Sequence, residues 1–381
     1  MSHGAATEGR RENPLRQLQE AGQSVWLDFL SRELLESGRL SRWIEEDGVS
    51  GVTTNPAILE KAISSGSEYN ARIEAAVHST GSDPLRLYEQ LAISDVRDAA
   101  DLLRPVFEET NRKDGWVSLE VSPHLADDRS ATVAEAKRLW GAVNRPNVMM
   151  KVPATRTGVS AIRELLVDGV PVNVTLLFSC PRYQEVALAY LEALEIRKAQ
   201  GKSLAEVRSV ASFFVSRIDT YIDRQLASVP GGAALQGRIA IANARRAYRL
   251  YQELLGSNRW LDLAQGGAQP QRLLWASTST KNPEYRDTLY VEELVAPDTV
   301  NTLPLETLEA FRDHGRVRPM EAAELELAER ELAGLASLGI ELEAACDALL
   351  VDGLRRFQEP FDKLLQGLRA RVRDFISTSV Q

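Results

Sequence analysis

Apolar residues along the chain gather in short runs, and between the runs they recur every three or four positions. The runs are SVWLDF from Ser24, SGVTTN from Ser50, WVSLEV from Trp116, NVMMKV from Asn147, PVNVTLL from Pro171, VRSVASFFV from Val207, RLLWAST from Arg272 and DTVNTLP from Asp298. Short apolar runs rich in β-branched and aromatic residues read as buried strands, and the intervening 3.6-residue periodicity reads as helix. The starts of the eight runs are 26, 66, 31, 24, 36, 65 and 26 residues apart. Strands that alternate with helices imply right-handed crossovers and a parallel sheet. Eight such units predict an α/β fold, a (β/α)8 TIM barrel.

The helical stretches are legible one by one. Ser41 to Asp47 follows the first run, and Ala131 to Val143 places Val133, Ala136, Leu139 and Trp140 at helical spacing. Gly158 to Asp168 and Pro181 to Gln200 do the same. The two long gaps predict extra helices; in the first, Asp83-Pro84 has the form of an N-cap followed by proline at the first helical position. Residues 1–13 are polar and read as a loose arm, followed by an amphipathic stretch from Pro14 to Gly22.

Beyond the eighth run the pattern is helix only. Residues 320–350 carry eight acidic side chains and one Arg, and residues 355–373 carry six basic and two acidic. The expectation is two amphipathic helices packing on each other or on the barrel. A partner surface, including homo-oligomerisation, is the other reading. The predicted organisation is therefore an N-terminal arm and short helix over 1–22, a catalytic barrel over 23–315 and a helical C-terminal extension over 316–381.

Composition narrows the class further. The 381 residues are 44% hydrophobic and 26% charged, with a net charge of -9. No dense basic patch is present, which argues against nucleic acid as the partner. No run is long enough to span a membrane, and the first residues lack the apolar core of a signal peptide, so a cytoplasmic protein is expected. Cys180 and Cys346 are far apart and outside any CxxC or Cys/His spacing, and the four histidines are scattered. Neither a metal centre nor a structural disulfide is expected. Of the 45 basic residues only eight are Lys, so each retained Lys invites a chemical reason.

In a parallel eight-stranded barrel the chemistry sits at the C-terminal strand ends, so polar residues that interrupt or end the runs are the candidates. They are Asp28, Thr53 with Thr54 and Asn55, Glu120, Lys151, Asn173 with Thr175, Ser212, and Ser277 with Thr278. Lys151 stands in VMMKVPAT, where an interior strand would desolvate its amine; desolvation favours the neutral, nucleophilic form. An edge-strand or snorkelling Lys is the alternative on spacing alone. Asp28 and Glu120 are carboxylates inside apolar runs, which need pairing, hydrogen bonds or an acid–base role. A structural salt bridge to an Arg is the alternative for each.

These residues, in this order, resemble transaldolase. WLDFLSRELLESGRLSRWIEEDGVSGVTTNPAIL is similar to that family's first signature and VMMKVPATRTGVSAI to its second, while VNVTLLFS and SFFVSRID match its fifth and sixth strand ends. The resemblance runs from about Ser24 to His314, and the segment around WASTSTKNPEYRDTLYVEELVAPDTVNTLP resembles the longer bacterial type.

The resemblance implies a cofactor-free transfer of a dihydroxyacetone unit from sedoheptulose 7-phosphate to glyceraldehyde 3-phosphate. The products are fructose 6-phosphate and erythrose 4-phosphate, within the non-oxidative pentose phosphate pathway. It implies Lys151 as the Schiff-base lysine, Asp28 as acceptor of the C4 hydroxyl proton, and Glu120 with Thr175 and a water as the proton shuttle. It further implies Thr53, Asn55 and Asn173 around the three-carbon unit, Phe214 as a site residue, and Ser212 with Arg217 on phosphate. Many relatives have Arg where Lys281 stands, so Lys281 is expected to bind phosphate as a point charge and not as a bidentate fork. Two alternatives accompany this reading. One is an aldolase releasing or using free dihydroxyacetone; such relatives tend to carry Gln and Tyr where this chain has Glu120 and Phe214. The other is a sugar-phosphate-binding barrel without catalysis.

Overall fold

The computed structural model describes residues 13–80 and 82–379. The arm expected over residues 1–13 therefore lies, but for Asn13, outside the described residues. Eight parallel strands close into a barrel in sequence order: β1 Gln23–Leu27, β2 Val49–Thr53, β3 Trp116–Glu120, β4 Val148–Pro153, β5 Val172–Leu177, β6 Ser209–Phe214, β7 Arg272–Ala276 and β8 Thr299–Leu303. Five lie within a predicted run, and β1, β2 and β4 each extend one residue beyond theirs, at Gln23, Val49 and Pro153. Every strand residue is buried, because the interior fills one face of the sheet and helices cover the other. The (β/α)8 TIM barrel with extra helices read from the sequence is thus the observed architecture.

The helices start where local chemistry says they should. Asp83 accepts a hydrogen bond from the Leu85 amide and opens Pro84–Leu102, while Thr155 caps Arg156–Val167 through the Gly158 amide. A side-chain oxygen at such a position satisfies one of the amides that a helix start leaves unpaired. The stretch expected as one helix from Ser41 to Asp47 is instead a short helix, Arg39–Arg42, running into a wider turn of π type, Trp43–Asp47.

The barrel floor is polar and closed. Trp26 fills the interior beside Gly51, where any added Cβ would lie 2.5 Å from the indole, so only glycine fits on β2. Beneath it Asp114 accepts from Ser24 Oγ at 2.7 Å, Trp26 Nε1 at 2.9 Å and Arg272 Nη2 at 3.0 Å. This buried charge is paired and fully engaged, which is what its burial demands.

The C-terminal segment divides differently from its charge pattern. One helix is Ala322–Ser337; after a turn with Gly339 at φ +75°, a second of 38 residues runs Leu342–Ser379. Residues 342–350, acidic, and 355–373, basic, belong to that one helix, because nothing between 350 and 355 breaks it. Gly353 lies in this stretch, and there the helix comes so close to β5 that an added Cβ would meet Leu176 Cδ2 at 2.9 Å. The long helix packs on the helices Pro56–Ser65, Pro84–Leu102 and Ser216–Leu226, which follow β2, precede β3 and follow β6. It therefore crosses the C-terminal face of the barrel.

Candidate active site

Strand register assembles the site. Glu120 pairs with Lys151 across β3 and β4, and Lys151 with Asn173 across β4 and β5, so three polar side chains from separate runs stand side by side. Lys151 is 5% exposed. Its Nζ donates to the Thr54 carbonyl at 2.7 Å and lies 3.6 Å from Glu120 Oε2. That second separation is beyond a direct hydrogen bond, and Glu120 Oε2 has no other protein partner. Burial pushes the Glu120 carboxyl up to about 7, with the Lys151 charge opposing the rise. Thr175 Oγ1, fully buried on β5, is likewise without a protein partner.

Asp28 follows β1 directly, its amide fixed to the Leu303 carbonyl of β8 at 2.8 Å. Thr53 Oγ1 donates to Asp28 Oδ1 at 2.6 Å and contacts Thr302 Oγ1 at 2.7 Å. Burial raises the Asp28 carboxyl above the ordinary carboxylate range, partly offset by the Lys151 charge and the Thr53 hydrogen bond. Asn173 and Ser212 form a chain across the interior: Ser212 Oγ donates to Asn173 Oδ1 at 2.6 Å, and Asn173 Nδ2 donates to Ser118 Oγ at 3.0 Å. Asn55 caps the helix Pro56–Ser65 by accepting from the Ile58 amide at 3.0 Å, a bond that engages its Oδ1 and not its Nδ2.

Two cations stand at the rim. The Arg217 guanidinium lies 5.3 Å from the Phe214 ring centroid and its Nη1 has no partner, while Lys281 Nζ donates to Ser279 Oγ at 2.6 Å. Burial lowers the pKa of both, and the Arg217 charge lowers that of Lys281 further. Two cations that repel each other, one with an unpaired donor, form a place for an anion.

A cavity of about 150 Å³ joins these groups, lined by Asp28, Thr53, Asn55, Lys151, Thr175, Ser212, Phe214, Arg217 and Lys281 among others. It opens into a vestibule of about 830 Å³ that shares Asp28, Asn55, Arg217 and Phe357. All the sequence candidates but Thr54, Glu120, Asn173 and Thr278 line the smaller cavity; Glu120 and Asn173 lie behind Lys151 and Ser212, and the Thr54 hydroxyl donates to the Ser118 carbonyl. Reading strand ends missed Thr302, which lines the cavity, and Asn301, whose Oδ1 accepts from Thr278 Oγ1 at 3.0 Å. Both follow the same rule of a polar residue in an apolar run. Phe357, also on the cavity wall, comes from the C-terminal helix. Among the described residues no group of three or more His, Cys, Asp or Glu could hold a metal ion, and no helix is long and apolar enough to cross a membrane. Cys180 and Cys346 are both buried free thiols.

Known proteins place this geometry in a family. The family model described as transaldolase/fructose-6-phosphate aldolase matches residues 25–368, well past the His314 limit of the resemblance and into the long C-terminal helix. The chain is 48% identical over 364 residues to a transaldolase of Saccharopolyspora erythraea, covering 94% of this chain and 97% of that one. It is 46% identical over 355 residues to a transaldolase of Thiobacillus denitrificans, covering 93% and 99%. Against transaldolase 2 of a Nostoc species it is 43% identical over 374 residues, covering 95% and 98%. The eight-stranded barrel with its buried lysine at the mouth belongs to a member of the transaldolase/fructose-6-phosphate aldolase family.

Proposed function

We propose that this chain is a transaldolase, a transferase that moves a dihydroxyacetone unit between sugar phosphates through a Schiff base on Lys151. The observation that carries this reading is the buried pair of Lys151 Nζ and Glu120 Oε2, 3.6 Å apart at the end of a cavity rimmed by Arg217 and Lys281. An amine attacks a ketone only when neutral, so its proton needs a nearby acceptor. Glu120, with its carboxyl at about 7, both takes and returns a proton near neutral pH. Thr175, with a hydroxyl free of protein partners, is placed to hold the water that enters and leaves as the carbinolamine forms and breaks.

Once the imine has formed, its protonated nitrogen withdraws electrons as the C3–C4 bond breaks. Asp28 takes the C4 hydroxyl proton in that step, and burial makes it a stronger base than an exposed aspartate. The enamine left on Lys151 then attacks the acceptor aldehyde. Thr53, Asn55 and Asn173 hold the hydroxyls of the three-carbon unit. Ser212 joins them and not the phosphate, because its hydroxyl is committed to Asn173 inside the barrel. Arg217 and Lys281 hold the phosphate at the rim, with Phe214 stacked under the guanidinium.

Glu120 and Phe214 favour transfer over the aldolase branch of the family. The deciding experiment supplies sedoheptulose 7-phosphate with glyceraldehyde 3-phosphate and measures erythrose 4-phosphate, and in parallel measures dihydroxyacetone released from fructose 6-phosphate without acceptor. Transfer far exceeding release is expected, whereas release at a matching rate would assign the aldolase reaction, and neither would assign a binding protein. A cytoplasmic location accompanies the pathway role. Homo-oligomerisation is a separate proposal, which a solution mass near 42.2 kDa would remove.

A further inference from the structure

We infer that Phe357, on the long C-terminal helix, sets the choice between transfer and hydrolysis by walling water off the Lys151 Schiff base; this rests on the transaldolase reading. Phe357 belongs to none of the eight βα units, yet it is 4% exposed and its ring centroid lies 5.9 Å from Lys151 Nζ. It lines both the inner cavity and the vestibule, so it stands where the two meet. One turn on, Phe361 packs edge-on against Tyr88, with centroids 5.3 Å apart, and bounds the small space that also contains Glu120. Residues four apart share a helix face, so one face of this helix covers both the nucleophile and its carboxylate.

The helix is held there along its length. Gly353 abuts Leu176, the neighbour of Thr175, and Gln358 Nε2 donates to the Pro123 carbonyl at 3.3 Å. Asp362 meets His124 at 2.7 Å, Lys363 meets Glu60 at 2.8 Å, and Arg371 donates to the Ile63 and Ser64 carbonyls. A buried phenyl ring on a helix anchored at that many points is a fixed wall and not a side chain resting on the surface.

The chemistry gives such a wall a specific task. After C–C cleavage the enamine has two fates. In transfer its carbon bonds to the acceptor aldehyde. In release that carbon takes a proton, water adds its oxygen to the resulting iminium carbon, and the C–N bond of the carbinolamine breaks. Dihydroxyacetone leaves and the amine recovers its proton. Only release needs bulk water and a stray proton at the enamine during the interval between donor and acceptor, and excluding water from a reactive intermediate is a recognised function of a closed site.

The test compares wild type, Phe357→Leu and Phe357→Ala in the full chain. Each is assayed for transfer from fructose 6-phosphate to erythrose 4-phosphate and for dihydroxyacetone released without acceptor. Borohydride trapping in each variant confirms that the imine still forms. The expected ratio of release to transfer rises from wild type to Leu to Ala, by roughly tenfold for Ala. A merely structural role lowers both rates together, so an unchanged ratio in variants that still trap would overturn the inference; should Ala fail to fold, the Leu variant alone decides in the same way. Failure of the wild type to transfer would overturn the transaldolase reading itself, independently of the variants.

Discussion

Lys151 owes its setting to three parts of the chain: Thr54 after β2 accepts its hydrogen bond, Glu120 on β3 faces its charge, and Phe357 from the C-terminal helix closes over it. Glu120 has consequences for pH that follow from its raised carboxyl. Below about pH 7 it is protonated and cannot accept the lysine proton, so kcat should fall on the acid side with an inflection there. Glu120→Gln should lower kcat by about two to three orders of magnitude and remove that inflection. The stability effect has the opposite sense. A carboxyl raised from 4.5 to about 7 favours the folded state most below pH 4.5, and that advantage is lost as pH rises through 7. Relative to Glu120→Gln, the wild type should therefore lose up to about 3 kcal/mol between pH 4.5 and 8, measurable by urea unfolding at each pH. At the rim, Lys281→Ala should raise KM for phosphorylated substrates by about tenfold or more while changing kcat less, since it removes a contact made in both ground and transition states. Lys151 could be singled out in the sequence because it interrupts an apolar run. Phe357 could not: an aromatic at helical spacing looks like packing, and nothing local says which end of the barrel it covers.

At the scale of elements, the eight strands could be read because parallel strands buried on both faces are continuous apolar runs. The order of charges in the last segment misled, because charge says where a helix faces solvent and not where it ends; Gly339 ends one helix, and Gly353 sits inside the next. The floor network was illegible for another reason. Asp114 and Arg272 are 158 residues apart and meet only when the barrel closes. Asp114→Ala would leave the Arg272 guanidinium buried and unpaired and should destabilise the fold by about 3 kcal/mol or more, read from chemical unfolding. Transfer activity in the fraction that remains folded should be nearly unchanged, because the network lies at the end of the barrel away from Lys151.

Taken whole, the molecule carries a net charge of -9, and yet each substrate of the proposed reaction brings an anionic phosphate to one end of the barrel. In the proposed reaction Arg217 and Lys281, which line the cavity, supply the attraction locally, against the sign of the whole. Added salt screens the long-range repulsion as well as the local attraction, but the partly buried rim pair is screened less. Raising ionic strength with a non-competing salt should therefore change kcat/KM by no more than a few-fold, whereas inorganic phosphate should inhibit competitively at the rim. The long C-terminal helix joins the scales, since it is an extension in sequence and part of the site in space. The central claim is that the Lys151 amine bonds covalently to the ketose. Borohydride reduction of the enzyme in the presence of fructose 6-phosphate, followed by peptide mapping, should place the label on Lys151 alone; label on Lys281, or on no lysine, would contradict it.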